Sequence, residues 1–398
     1  MKKIAVVLSL LLALCLFSGV LADEPETIKL LTRGGTYNKV LAMAIPGFEE
    51  AYNCKVVIDG EGKSFDDLHT AISLDATNEV GEFDVYMLDG TWMAEFSESG
   101  ALANLSELGY SFDEDVIPAT TAAGIDAEGN IYMLPYYGNV TVFMYNKDLI
   151  DKYNDGVVPA TWNGVLDLSQ KMKADGVDGY ILRAGAGDPN VTDFLPVLKA
   201  FGGWVLNEDF TEVTLNTPEA KAALEFYIEL YKAGNLLDKD NIVAAIKNGS
   251  AAMAVGWPGW NAENYTVIPT KVSDDSEEQY TSIYGCWFLG LAENSAHKDL
   301  ALKFLEYALD PAVAQATVAE GGVPCRKSVL LSEESLAINP KLEVVYGALA
   351  TGTYRPAVGF YTDLVNTFGP YLDSAVMGTM SVDDALAQAQ AACEMLLP

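Results

Sequence analysis

FDVYMLDGTWMAEF, residues Phe83–Phe96, decides the fold. Its apolar run Val85-Tyr86-Met87-Leu88 is short and bounded by a glycine turn, which suits a strand covered on both faces. Asp89, Gly90, Thr91 and Trp92 must then surface at the strand's carboxyl end, the edge where open α/β sheets take ligands. The flanking sequence agrees. Thr27 to Leu31 reads as a strand, Tyr37 to Tyr52 as a helix, Lys55 to Asp59 as a strand and Ser64 to Ala76 as a helix. This alternation predicts a parallel sheet of βα units. A second set follows, with Thr161 capping a helix, Tyr180 to Arg183 a strand, and Thr217-Pro218-Glu219 opening a helix that Gly234 ends. Ala301, Phe304, Leu305 and Ala308 share one helix face, and Ser381 to Asp384 makes a capping box for a last helix.

Composition narrows the function. The chain has 398 residues, half of them hydrophobic and a fifth charged, as expected of a globular protein of two or three domains. Residues 1–22 read as an export signal: Lys2 and Lys3, an apolar run from Ile4 to Phe17, then Val20-Leu21-Ala22. Cys15 follows Leu14 rather than a small residue, so no lipid anchor is expected. The remaining Cys54, Cys286, Cys325 and Cys393 are widely spaced and have no C-x-x-C pair, which makes buried thiols the expectation. The net charge of −32 argues against nucleic acid and anionic lipid as partners.

The common catalytic sets are poorly supplied. Only His69 and His297 are present, the first on an expected helix and the second before one, so a histidine zinc site or a Ser-His-Asp triad is poorly supplied, and no cofactor or metal is expected. Gly60-Glu61-Gly62-Lys63-Ser64 lacks the first glycine of a phosphate loop, since Val57 occupies that place, and Gly185-Ala186-Gly187 lacks the third glycine of a dinucleotide fingerprint. Aromatic side chains, in contrast, cluster at turns beside strand ends: Tyr136-Tyr137-Gly138-Asn139, Gly256-Trp257-Pro258-Gly259-Trp260 and Gly285-Cys286-Trp287. A flat ring covers the C–H face of a sugar, and neighbouring Asp, Asn and Arg groups meet its hydroxyls. An acid beside a Trp is what such a polyol requires.

These segments resemble the extracellular solute-binding proteins of sugar ABC importers, the family that includes maltose- and trehalose-binding proteins. The resemblance is carried in order by Asp84 to Leu102, Gly129 to Tyr136, Tyr145 to Leu149, Pro159-Ala160-Thr161-Trp162, Asn248 to Met253, Gly256-Trp257-Pro258, and Ala301 to Pro311 with Gly321-Gly322-Val323-Pro324. It implies a periplasmic-binding-protein fold: two α/β lobes joined by crossing strands, with a ligand cleft between them. Lobe 1 would comprise 23–138 and 286–328, and lobe 2 would comprise 139–285 and 329–398. The implied ligand contacts are Asp89 and Trp92 in the first lobe, Tyr137 and Asn139 at the first crossover, Trp257 as a stacking platform, Gly285 and Trp287 at the second crossover, and Arg355 as a sugar clamp. Asn139 is neutral where disaccharide binders of the family often carry an acid. The first-strand loop adds Arg33 and Gly35, and a cation there suits an acidic sugar or other anion. The expected protein is a monomeric, periplasmic, non-enzymatic carbohydrate binder that delivers its solute to permease subunits. The alternatives are a binder of a non-sugar or anionic small solute and a secreted carbohydrate-active enzyme.

Overall fold

The computed structural model describes residues 25–185, 187–260 and 262–398; the export signal expected at 1–22 lies outside them. The strands are β1 (Thr27–Leu31), β2 (Lys55–Ile58), β3 (Val85–Asp89), β4 (Met133–Tyr137), β5 (Val142–Tyr145), β6 (Asp178–Arg183), β7 (Asn235–Leu237), β8 (Ala251–Gly256), β9 (Tyr265–Thr266), β10 (Ser282–Ile283), β11 (Trp287–Leu291) and β12 (Gly352–Thr353). They build two five-stranded sheets, ordered β2-β1-β3-β11-β4 and β7-β6-β8-β5-β9, and a two-stranded ribbon of β10 and β12. The βα units supply parallel pairs, while β11 runs antiparallel to β3 and β4 because it returns from the second sheet.

Local sequence sets the elements. Every residue of β3 is buried, as its unbroken apolar run requires. Ser64, Thr161, Thr217 and Ser381 each accept a backbone N–H at the start of a helix that was expected to begin there. The helix expected over Tyr37 to Tyr52 is instead two, Thr36–Ala42 and Ile45–Tyr52. Pro46 lies in the first turn of the second helix, where its missing N–H costs nothing, whereas in the interior of one long helix it would remove a hydrogen bond.

Three chain segments run side by side between the sheets. Val140 pairs with Tyr284, and Ser282 and Ile283 pair with Gly352 and Thr353. Around them, Tyr284 packs against Tyr354 with ring centroids 4.4 Å apart, and its hydroxyl donates to the Leu349 carbonyl. The helices Tyr361–Val376 and Val382–Glu394 join the core of the second sheet. Val329, Leu330, Leu342, Val345 and Leu349, a stretch expected with the second lobe, belong to the larger apolar cluster, which holds the first sheet's strands together with Val142, Met144 and Ala251 of the second. The four cysteines among the described residues, Cys54, Cys286, Cys325 and Cys393, are buried and unbridged.

The ribbon leaves no room at Gly352, where a β-carbon would sit 2.4 Å from the Tyr284 ring. Gly352→Ala should therefore displace a buried, hydrogen-bonded ring and lower stability by about 1–3 kcal/mol, the usual cost of overpacking. A urea midpoint equal to that of the wild type would contradict this packing.

Candidate functional site

The sheets meet at the carboxyl ends of β3, β6 and β8, and the site is built from the residues that leave those ends. In the first sheet, Trp287 lies opposite both Asp89 and Tyr137, so three predicted residues share one row. A bulge between Trp287 and Phe288 interrupts the pairing with β4 there, a common device for re-aiming a side chain. The Trp287 ring meets Tyr37 at 5.1 Å and Trp92 at 5.9 Å, and Phe65 closes the cluster against Trp92 at 4.7 Å. Such tilted and edge-on contacts are the favoured ring geometries. Trp92 is 1% exposed, so it serves this cluster as packing, with its indole nitrogen buried and unpartnered.

The second sheet contributes Trp257, which follows β8 directly. A β-carbon on Gly285 would lie 2.6 Å from the Trp257 ring and 3.3 Å from the Asn139 amide, so the missing side chain is what lets the indole reach the crossover. Asn139 in turn donates to the Tyr37 hydroxyl at 3.4 Å, linking Trp257 to the aromatic row of the first sheet. Burial pushes the Tyr37 hydroxyl up to about 12, with Arg33 pulling it partly back. Tyr137 donates to the Gly321 carbonyl at 2.8 Å.

Charge enters through three arginines. Arg355 is 5% exposed and donates from Nη2 to both Asp89 oxygens, at 2.8 and 3.0 Å, and from Nη1 to Asp188 at 3.2 Å. Burial opposes its charge, but Asp89 and Asp188 more than offset that and hold it firmly protonated. Asp89 also accepts from the Thr91 N–H and hydroxyl, at 3.0 and 2.8 Å, which fixes its rotamer. Arg183, at the end of β6, lies 5.3 Å from the Trp260 ring centroid and 2.8 Å from Asp193 Oδ1. That oxygen is off hydrogen-bond alignment, and burial pushes the Asp193 carboxyl up to about 7, against the pull of Arg183. Arg33 donates from Nη1 to the Lys63 carbonyl at 2.7 Å, with its guanidinium carbon 5.8 Å from the Trp287 ring centroid.

Nine of the ten predicted residues are thus joined by direct contacts or strand pairing; Gly35 sits on the exposed turn before Thr36, with nothing near its α-carbon face. Of the nine, Arg355 alone also lines a cavity of about 640 Å³, bounded by Met93, Glu98, Asp126, Tyr354 and, from the second sheet's side, Phe210. Phe210 has φ 55°, a left-handed backbone unusual for a large side chain. Sequence reading missed Tyr37, Phe65, Arg183, Asp188, Asp193 and Phe210. A signal existed for Asp188, since Gly187-Asp188-Pro189 is a helix start.

The family model described as bacterial extracellular solute-binding protein matches residues 31–315. A Sinorhizobium fredii protein, named as a periplasmic-binding protein of an amino-acid ABC transporter, is 23% identical over 81% of this chain and 78% of its own length. The mannitol-binding protein of Pseudomonas aeruginosa is 24% identical over 96% of this chain and 95% of its own. Among solved structures, maltose-bound T. maritima MalE3 has a TM-score of 0.78 at 25% identity, covering 93% of this chain and 100% of that one.

The Arg355 bridge yields a double-mutant test. Asp89→Ala leaves a buried guanidinium short of one carboxylate, an imbalance that typically costs about 3–5 kcal/mol. Asp89→Ala with Arg355→Met should be less destabilised than Asp89→Ala alone in chemical denaturation. A double variant whose loss equals the sum of the single losses would show that the two groups are not coupled.

Proposed function

The chain belongs to the bacterial extracellular solute-binding protein family, as the solute-binding component of an ABC transporter, and we propose that its solute is a carbohydrate clamped between the two sheets' lobes. Members of this family bind their solute and do not transform it. The observation that carries the carbohydrate reading is the aromatic row of Tyr37, Tyr137 and Trp287 beside Arg33, whose buried Nε has no acceptor, with Trp257 brought to the crossover at Gly285. An unpaired buried donor costs about 1–3 kcal/mol, so an oxygen-rich ligand that satisfies it is favoured. Ring faces beside this donor suit a pyranose. The mannitol-binding relative and the maltose-bound neighbour support a polyhydroxyl solute.

An amino acid fits less well. Its ammonium would need an uncommitted carboxylate, whereas Asp89 and Asp188 are engaged by Arg355, and Asp193 by Arg183. We take Asp89, Tyr137, Asn139, Trp257, Gly285, Trp287, Arg33 and Arg355 as the site, with Trp257 as the principal platform, Trp92 packed behind Trp287 and Gly35 on the rim. The lobes close by rotation at the three side-by-side segments near Asn139, Gly285 and Gly352. The protein acts as an exported periplasmic monomer that hands its sugar to the permease and uses no nucleic acid. Among the described residues no helix is long and apolar enough to cross a membrane.

Losing one large aromatic contact in a desolvated site costs about 2 kcal/mol or more. Trp257→Ala should therefore bind the cognate sugar at least about tenfold more weakly, with melting of the free protein nearly unchanged. Unfolding of the variant would make Trp257 a core residue. Unchanged affinity would move the platform to another ring.

A further inference from the structure

We propose that the solute is an acidic sugar whose carboxylate pairs with Arg33. This rests on the carbohydrate reading and specifies the sugar's class. The chain holds only four arginines among 398 residues, against 56 acids, and three of them, Arg33, Arg183 and Arg355, stand where the sheets meet. The fourth, Arg326, is tied to Asp113 and Asp115 in the first lobe. So scarce a residue is concentrated at the site rather than spread over the surface.

The three differ in how their charge is met. Arg355 has Asp89 at 2.8 Å and Asp188 at 3.2 Å, and Arg183 has Asp193 at 2.8 Å. Arg33 forms no ion pair among the described residues. Its Nη1 is committed to a backbone carbonyl, its Nε is buried without an acceptor, and its guanidinium lies over Trp287. The other two guanidinium groups each face a carboxylate at salt-bridge distance, and Arg33 is the member of the cluster that faces none among the described residues.

A neutral sugar can satisfy Nε with a hydroxyl but leaves that charge uncompensated in a site that closure dehydrates. A carboxylate supplies both the acceptor and the opposite charge, and the planar guanidinium matches it geometrically. One uncommitted arginine balances one negative charge, so a monoanionic carboxylate fits better than a dianionic phosphate. The protein's net charge of −32 repels anions at a distance. Screening limits that repulsion to about 8 Å at physiological salt, within which a local cation governs. Tyr37 and Trp287, packed against each other beside the guanidinium, would flank the ring that bears the carboxylate. The class is a uronate or aldonate.

The test is calorimetric titration of the full mature protein with glucuronate, galacturonate, digalacturonate and gluconate, each beside its uncharged counterpart, and with glycerol 3-phosphate. At least one acid should bind about tenfold or more tightly than its counterpart, since a charge-assisted hydrogen bond is roughly twice as strong as a neutral one. Arg33→Gln should erase that preference, and Arg33→Lys, which keeps the charge, should restore part of it; melting of each free variant checks folding. Binding of uncharged sugars at equal or higher affinity would overturn the acidic class while leaving the carbohydrate reading intact. Tighter binding of glycerol 3-phosphate, equal behaviour of the Gln and Lys variants, or no binding of any acid would also overturn it. Failure of every sugar, charged or not, would remove the carbohydrate reading as well.

Discussion

Arg355 is a fully desolvated cation whose two carboxylates arrive from different sheets, Asp89 from the end of β3 and Asp188 from the turn after β6. A charge removed from water is tolerated only when opposite charge and hydrogen bonds replace its hydration. That requirement ties three distant segments together: the strand end at Asp89, the helix start at Asp188, and the ribbon at Gly352 and Thr353 that feeds Arg355 between them. Asp89 is itself held by Thr91. The geometry of the lobe junction follows from this one bridge more than from any apolar contact.

The aromatic row is arranged around the bridge. Because Trp287 lies opposite Asp89, the ring and the acid leave the same sheet edge at the same height. Gly285 lets Trp257 approach from the other sheet, and Asn139 connects that indole to Tyr37. The Cys286 thiol, which Cys325 and burial keep protonated, donates to the Asn139 carbonyl at 3.4 Å, so the crossover backbone is held from behind. Rigid support behind a crossover lets a hinge move whole lobes without dissolving the contacts it carries.

Much of this was legible in the sequence, and the failures are instructive. Period and capping residues located the strands and most helices, because Ser64, Thr161, Thr217 and Ser381 act within three residues of themselves. Pro46 should have split the helix after Tyr37, since its cost in a helix interior is also local. The residues that follow strand ends were readable as site candidates because a βα topology exposes them. Arg183, Asp188 and Asp193 were not: they matter through partners up to 167 positions away, as in Asp188 with Arg355. Trp92 reads from sequence as a surface ring, yet Phe65, His69, Phe96 and Trp287 enclose it. Nothing local distinguishes an enclosed ring from an open one at a strand end.

The central claim is that the two lobes capture a carbohydrate and release it chemically unchanged. Titration of the mature protein with a sugar panel, followed by mass analysis of the recovered ligand and scattering of the saturated complex, tests it most directly. The account predicts saturable one-to-one binding, a recovered sugar of unaltered mass and a smaller radius of gyration in the complex. An altered sugar, or saturation with no change in scattering, would contradict it.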